Sequence, residues 1–198
     1  SDITTAEGRE RFGKGNGMLA ELDRSAPQDP FTRYVHLFRD AIWGADKAKL
    51  EEISAELEKL ADRVPESLLL RAGFHGAYLH PAGEISFGRK LRNLDLALEE
   101  LSAYNGLDPL NFLARVNLGV LRIEAGDFAG AEVDLQFVIR NAPEWAEPQY
   151  YLGRLRYNQG RLAEAERALR ESLRLASTPA RANFLAIVLA FRKDFAGA

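Results

Sequence analysis

Cysteine is absent from the 198 residues of this chain, which excludes disulfide bonds, thiol catalysis and metal sites built on cysteine. Long hydrophobic runs are absent as well. A membrane-spanning helix needs about 18 apolar residues, and the longest run, Phe184–Phe191, is far shorter. The first five residues show no signal-peptide pattern, although a chain that opens on Ser1 leaves open a targeting segment that has been removed. We expect a soluble protein without a membrane span, and we favour the cytoplasm over the periplasm.

The chain also lacks an excess of basic charge. Its 26 Lys and Arg residues stand against 29 Asp and Glu residues, which gives a net charge of −3. Because a nucleic-acid backbone requires a basic surface, we expect no binding to nucleic acid. Residues 146–179 do contain more arginine than glutamate. This modest basic strip suits an acidic partner more than a nucleic acid.

Motifs for catalysis and for ligand binding are missing too. Neither a Gly-x-Ser-x-Gly sequence, nor a His-Glu-x-x-His sequence, nor a dinucleotide fingerprint is present. Residues 8–15 come near a phosphate-binding loop, but Gly15 stands where a Ser or Thr hydroxyl would hold magnesium, and no apolar strand precedes them. His75 and His80 are not at ligand spacing on a helix. We therefore expect no catalytic residue, no metal and no cofactor, and we predict that the protein is not an enzyme.

What the chain does contain is a repeat with a period of 34 residues. The matching pairs are Leu118-Gly119 with Leu152-Gly153, Gly126 with Gly160, Phe128 with Leu162, Ala131 with Ala165, and Leu135 with Leu169. The same spacing reaches back to Leu94, which precedes Phe128 by one period. A fixed period of this length is typical of a helix-turn-helix unit that is stacked several times.

Small residues at fixed places in the repeat predict where its two helices cross. Two glycines in the first helix and two alanines in the second would permit a close approach. Two further glycines would end the first helix, where a left-handed residue is easiest for glycine. In that order, these residues are Gly119 and Gly153, Ala131 and Ala165, and Gly126 and Gly160.

These residues resemble the tetratricopeptide repeat (TPR) family, firmly over residues 89–198 and loosely over residues 29–80. The resemblance implies an all-α fold, a right-handed α-solenoid of antiparallel helix pairs that forms a TPR superhelix. The chain departs from the family at two places in each regular repeat. Arg115 and Gln149 stand where an aromatic residue is usual, and Arg122 and Arg156 stand where a tyrosine is usual.

The helix signals divide the chain into four parts. Residues 1–28 form an N-terminal helical or irregular segment, and residues 29–110 form two TPR-like hairpins, the second with an insertion at about 80–88. Residues 111–179 form two regular repeats, and residues 180–198 begin a further, truncated repeat. The last five residues copy Asp127–Ala131, so we predict that a new helix begins at Asp194. From this and the apolar last helix we expect that the natural protein continues, or that another chain covers this end.

The resemblance further implies a concave groove that is lined by the first helix of each repeat and binds a peptide or a helix of another protein. Carried onto this sequence, the groove residues are Val116, Val120, Tyr150, Arg154, Tyr157, Asn158 and Asn183. The Lys and Asn clamp for a C-terminal carboxylate, known from one subclass of the family, is missing. An alternative is that Tyr150 and Tyr157 simply pack on neighbouring helices.

The sequence therefore predicts a non-catalytic scaffold that binds a protein or peptide partner. Two alternatives remain open. The chain could be the helical N-terminal arm of a larger enzyme, a transferase or a hydroxylase, that is cut off at Ala198. It could also be a self-assembling scaffold, a homo-oligomer that pairs through the Phe184–Phe191 helix.

Overall fold

The computed structural model describes residues 17–42, 46–75, 79–80, 83–84 and 93–196. These residues form ten helices and one short ladder. The elements are α1 (17–25), α2 (Pro30–Ile42), α3 (Lys47–Leu60), α4 (Glu66–His75), β1 (Leu79–His80), β2 (Gly83–Glu84), α5 (Leu94–Leu107), α6 (Phe112–Ala125), α7 (Phe128–Asn141), α8 (Ala146–Asn158), α9 (Leu162–Leu175) and α10 (Pro179–Ala196). The predicted all-α solenoid of antiparallel helix pairs is confirmed.

Polar side chains start most of the helices by accepting a hydrogen bond from a backbone N–H three residues further on. Asp29 Oδ2 accepts from Thr32 at 3.1 Å, and Asp46 Oδ1 accepts from Lys49 at 2.8 Å. Asn111 and Asp127 do the same at the starts of α6 and α7. Each such bond satisfies one of the backbone donors that a helix start leaves unpaired.

Two glycines end the first helices of the regular repeats. Gly126 follows α6 with a φ of 82°, and Gly160 follows α8 with a φ of 73°. This left-handed region is open to glycine and costly for a residue with a Cβ atom. The chain can therefore reverse direction within two residues after α6 and three residues after α8, and enter the next helix.

Replacing Gly126 by alanine is expected to lower the free energy of unfolding by about 1 kcal/mol, because alanine has to adopt the strained positive φ. Gly106 in α5 provides the matched control. It has no positive φ, and a Cβ atom there would meet nothing within 4 Å. Gly106→Ala should therefore stabilise the helix by roughly 0.5–1 kcal/mol. Urea melts that show both substitutions moving stability in the same direction would contradict this assignment.

The two helices of each regular repeat cross at a glycine. A Cβ atom at Gly119 would lie 3.1 Å from Cγ of Leu135, and one at Gly153 would lie 2.6 Å from Cγ of Leu169. Ala131, which is fully buried, brings its carbonyl oxygen to 3.6 Å from the same point at Gly119. A leucine of the second helix thus fills the space over a residue without a side chain.

The core is a row of four apolar clusters, each shared by consecutive helices. The first joins α2, α3 and α4 around Leu57 and Phe74, and the second joins α4, α5 and α6 around Leu101 and Leu118. The third lies between α6, α7 and α8, and the fourth lies between α8, α9 and α10. Each helix pair is therefore held by its neighbours along the row, as in other repeat proteins.

One predicted boundary is wrong. The copied segment that begins at Asp194 does not open a new helix, since α10 continues to Ala196. Asp127 starts α7 because the left-handed Gly126 precedes it, whereas Lys193 precedes Asp194 and supplies no such turn.

The predicted irregular insertion at 80–88 contains a small antiparallel ladder. It pairs Leu79 with Glu84 and His80 with Gly83. The residues 8–15 that come near a phosphate-binding loop lie outside the described residues.

Candidate functional site

Two of the predicted groove residues are not on the surface. Val116 is 0% exposed and Val120 is 4% exposed, and both lie in the core cluster that contains Tyr151 and Leu155 of the next repeat. The prediction that they line a groove is corrected. Their positions face the following repeat, and its large side chains cover them.

The corresponding part of α8 is partly open. Tyr150, Arg154 and Tyr157 are half-buried, and Asn158 is exposed. Residues three and four apart on a helix lie side by side, so these four form one strip along α8. The guanidinium carbon of Arg154 lies 5.6 Å from the ring centre of Tyr151 and 6.0 Å from that of Tyr150.

Aromatic rings connect this strip to α10. The ring centre of Phe184 lies 5.9 Å from that of Tyr150 and 5.4 Å from that of Tyr157, and the Tyr157 ring lies 5.8 Å from the Phe191 ring. All three pairs meet edge to face, which is a favourable arrangement. The alternative that the two tyrosines pack on a neighbouring helix therefore holds, and both still keep part of their surface exposed. Asn183 is exposed on α10.

An open pocket of about 720 Å³ adjoins the strip at the end of α8. Its walls come from the ends of α8 and α10 and from the first turn of α9. The side chains that line it include Tyr157, Asn158, Leu162, Ala163, Phe191 and Arg192. The sequence reasoning missed the α9 residues because the resemblance carried over positions of the first helix alone. The 34-residue period marked Leu162 as a repeat position, but it did not show that a pocket opens beside it.

Most arginines of the predicted basic strip are paired. Arg156, which is buried, donates from Nη1 to Glu132 Oε2 at 2.7 Å and lowers the pKa of that carboxyl. Arg161 pairs with Glu164, and Arg174 pairs with Glu171. Arg170 and Arg192 both pair with the buried Glu166. The strip therefore offers much less free positive charge than the sequence suggested.

A second buried charge cluster lies between α3, α4 and α5. Arg71 Nε lies 3.0 Å from Glu100 Oε1 and donates to Ser54 Oγ at 3.2 Å, while its Nη2 donates to Glu58 at 3.4 Å. Glu100 is 3% exposed, and neither of its carboxyl oxygens makes a well-aligned hydrogen bond with a described residue. Burial raises the pKa of Glu100 to about 7, against the opposing effect of Arg71. In such a buried position the neutral, protonated form of a carboxyl group is favoured over the charged form.

The described residues contain neither a metal-binding cluster nor a membrane-spanning helix. No three or more His, Asp or Glu side chains gather there in a way that could hold a metal ion. No described helix is both long enough and apolar enough to cross a membrane. His36 lies 2.6 Å from Asp23, which accounts for one of the three histidines.

The family model described as tetratricopeptide repeat matches residues 146–179, which contain α8 and α9. Several solved structures share the fold. MamA (residues 41 to the end) from Desulfovibrio magneticus RS-1 is 18% identical, with a TM-score of 0.66 over 84% of this chain and 87% of that chain. A tetratricopeptide repeat protein from Parabacteroides merdae is 19% identical, with a TM-score of 0.59 over 79% of this chain and 58% of that chain.

The matching chain in the crystal structure of the APC/C hetero-tetramer Cut9–Hcn1 is 17% identical to this chain, with a TM-score of 0.59 over 83% of this chain and 29% of the matching chain. No curated protein sequence matches the chain. Likeness at these identities establishes the shared architecture.

Proposed function

Because the chain is a TPR-like helical repeat protein, we propose that it is a non-catalytic scaffold that binds a segment of another protein. One observation carries the proposal: the half-open strip of Arg154, Tyr157 and Asn158 on α8 runs into an open pocket of about 720 Å³. A strip of this kind offers a place for an extended segment, and the pocket offers a place for one of its side chains.

The chemistry of the surface favours binding over catalysis. Its rings come from Tyr157 and Phe191, and its polar groups are the amide of Asn158 and the guanidinium groups of Arg154 and Arg192. Tyrosine and arginine are the residues that most often dominate the binding energy of protein interfaces. These groups hold and orient a ligand, so we assign the surface a binding role.

Self-association is a second candidate, and the exposed face of α10 favours it. Ile187 and Phe191 are each 45% exposed on the last described helix. Apolar side chains grouped on one face can pair two copies of a chain. Light scattering across a concentration series separates the two ideas, because a monomer at the highest concentration counts against pairing through α10.

The experiment for the scaffold proposal is a selection from a phage-displayed library of random dodecapeptides on the wild-type protein. An enriched peptide is then synthesised and titrated by calorimetry into wild type, Tyr157→Ala and Arg154→Glu. Each variant should bind it about tenfold more weakly or worse, as expected for residues at the centre of an interface. Circular dichroism melts check that each variant is folded.

The matched controls make the same types of substitution at surface positions away from the α8 strip. Phe31→Ala removes an aromatic ring that is 49% exposed on α2, and Arg140→Glu reverses a charge that is exposed on α7. Both should leave the affinity unchanged. Equal affinity in all five proteins would remove the α8 strip as the site, and a selection that enriches no peptide would overturn the proposed function itself.

A further inference from the structure

Arg154 is one of two arginines packed between helices of the array that lie against aromatic rings and have no carboxyl group of a described residue within 4 Å; the other is Arg115, whose guanidinium lies over the ring of Phe137. Four other arginines lie within 4 Å of a carboxyl group on a neighbouring helix, and the pairs are Arg71 with Glu100, Arg122 with Asp134, Arg156 with Glu132, and Arg181 with Glu147. Arg154 has no carboxylate of a described residue within 4 Å, and it lies against the rings of Tyr150 and Tyr151 instead. Its charge is therefore not neutralised within the described part of the chain.

The position of Arg154 prepares it for a ligand. Two tyrosine rings hold the guanidinium by cation–π attraction, which restricts its side chain before anything binds. The side chain is half-exposed, so solvent and ligands can reach it. A guanidinium presents its N–H groups as a planar fork, and a carboxylate accepts two hydrogen bonds from such a fork.

The carboxylates near the strip would not compete for Arg154. Glu147, about two turns earlier on α8, is paired with Arg181, and Glu166 on α9 is paired with Arg170 and Arg192. A carboxylate that pairs with Arg154 would therefore come from outside the described residues. The pocket next to it is lined mainly by carbon, from Tyr157, Leu162 and Phe191 among others.

From this geometry we propose that the bound segment carries a carboxylate and an apolar side chain next to each other. The carboxylate pairs with Arg154, and the apolar side chain enters the pocket beside Tyr157. The two subsites are one helical turn apart on α8, about 5–6 Å, which neighbouring side chains of one peptide can span. The inference rests on the proposed function, since it names the chemistry of the segment that the scaffold would bind.

The test uses two parallel selections from the same dodecapeptide library, one on wild type and one on Arg154→Glu. The wild-type pool should be enriched in Asp or Glu close to an aromatic or aliphatic residue, and the variant pool should lose that enrichment. A synthetic peptide from the wild-type pool should bind about tenfold more weakly when its Asp is changed to Asn, because a charge-assisted pair is lost. Arg140→Glu, screened in the same way, should return the wild-type preference.

The outcomes separate this inference from the function on which it rests. Peptides that bind wild type at the α8 strip but show no acidic preference, or keep it on Arg154→Glu, would overturn the inference and leave the scaffold role standing. A selection that enriches nothing on wild type would overturn both. Loss of binding in Arg154→Glu together with full binding in Arg140→Glu, and an Asp-to-Asn penalty in the peptide, would establish the acidic segment.

Discussion

Replacing Leu135 by alanine is expected to lower the free energy of unfolding by about 3 kcal/mol. Leu135 is 0% exposed and lies over Gly119, where the two helices of the repeat cross. Removing three carbon atoms of Leu135 leaves a cavity between the helices. Gly119 on the facing helix has no side chain that could fill this space. Leu169→Ala at the next crossing, over Gly153, should lower the free energy of unfolding by a similar amount.

Val133→Ala is the control for this experiment. Val133 lies on the same helix, α7, but is 65% exposed, so its truncation should change stability by no more than about 0.5 kcal/mol. Urea unfolding followed by circular dichroism gives both numbers. A loss well under 1 kcal/mol for Leu135→Ala would mean that the assignment of the repeat crossing is wrong.

The second large effect is a dependence of stability on pH that comes from Glu100. Its pKa is about 7 in the folded protein, against 4.5 for an ordinary glutamate. Between these values the unfolded chain has released the proton and the folded chain still holds it. Stability therefore falls as pH rises through this range, by at most about 1.4 kcal/mol per pH unit and roughly 3 kcal/mol in total, and the change from Glu100 is complete by about pH 8.

Glu100→Gln should remove this contribution, because glutamine has a similar shape and does not titrate. The difference in unfolding free energy between Glu100→Gln and wild type should therefore grow by roughly 3 kcal/mol from pH 4.5 to pH 8, in favour of the variant. Glu99→Gln, the same change at an exposed neighbour, should leave most of the wild-type slope in place. Chemical unfolding at several pH values measures all three, and parallel curves for Glu100→Gln and wild type would contradict the assignment.

Local signals in the sequence predicted much of the fold. Asp29 and Asp46 accept the hydrogen bonds with which side chains of this type commonly start a helix, and Gly126 and Gly160 carry the positive φ that their place in the repeat predicts. These features depend on a few neighbouring residues, which is why they can be predicted without knowing the rest of the chain. The start of a helix at Asp194 failed because the five copied residues lacked the preceding glycine that makes the turn.

The candidate site was predicted in part. The sequence placed Tyr150, Arg154 and Tyr157 on one strip of α8, but it also placed Val116 and Val120 on the surface. Which face of a first helix stays open depends on the size of the side chains in the next repeat, and this is a property of packing between repeats. The same reasoning explains why Arg156 was counted as part of a basic surface, since its partner Glu132 lies 24 residues earlier on another helix.

The ring contacts between α8 and α10 tie ligand binding to the order of the last helix. Phe184 and Phe191, which contact the two tyrosines, both lie on α10. A segment that contacts both Tyr157 and Phe191 would bind only when α10 is packed on α8. Binding of the segment would therefore also stabilise the packed position of α10. The measured affinity for any segment would then contain the free energy of ordering α10, and a substitution such as Phe184→Ala could weaken binding without touching the ligand.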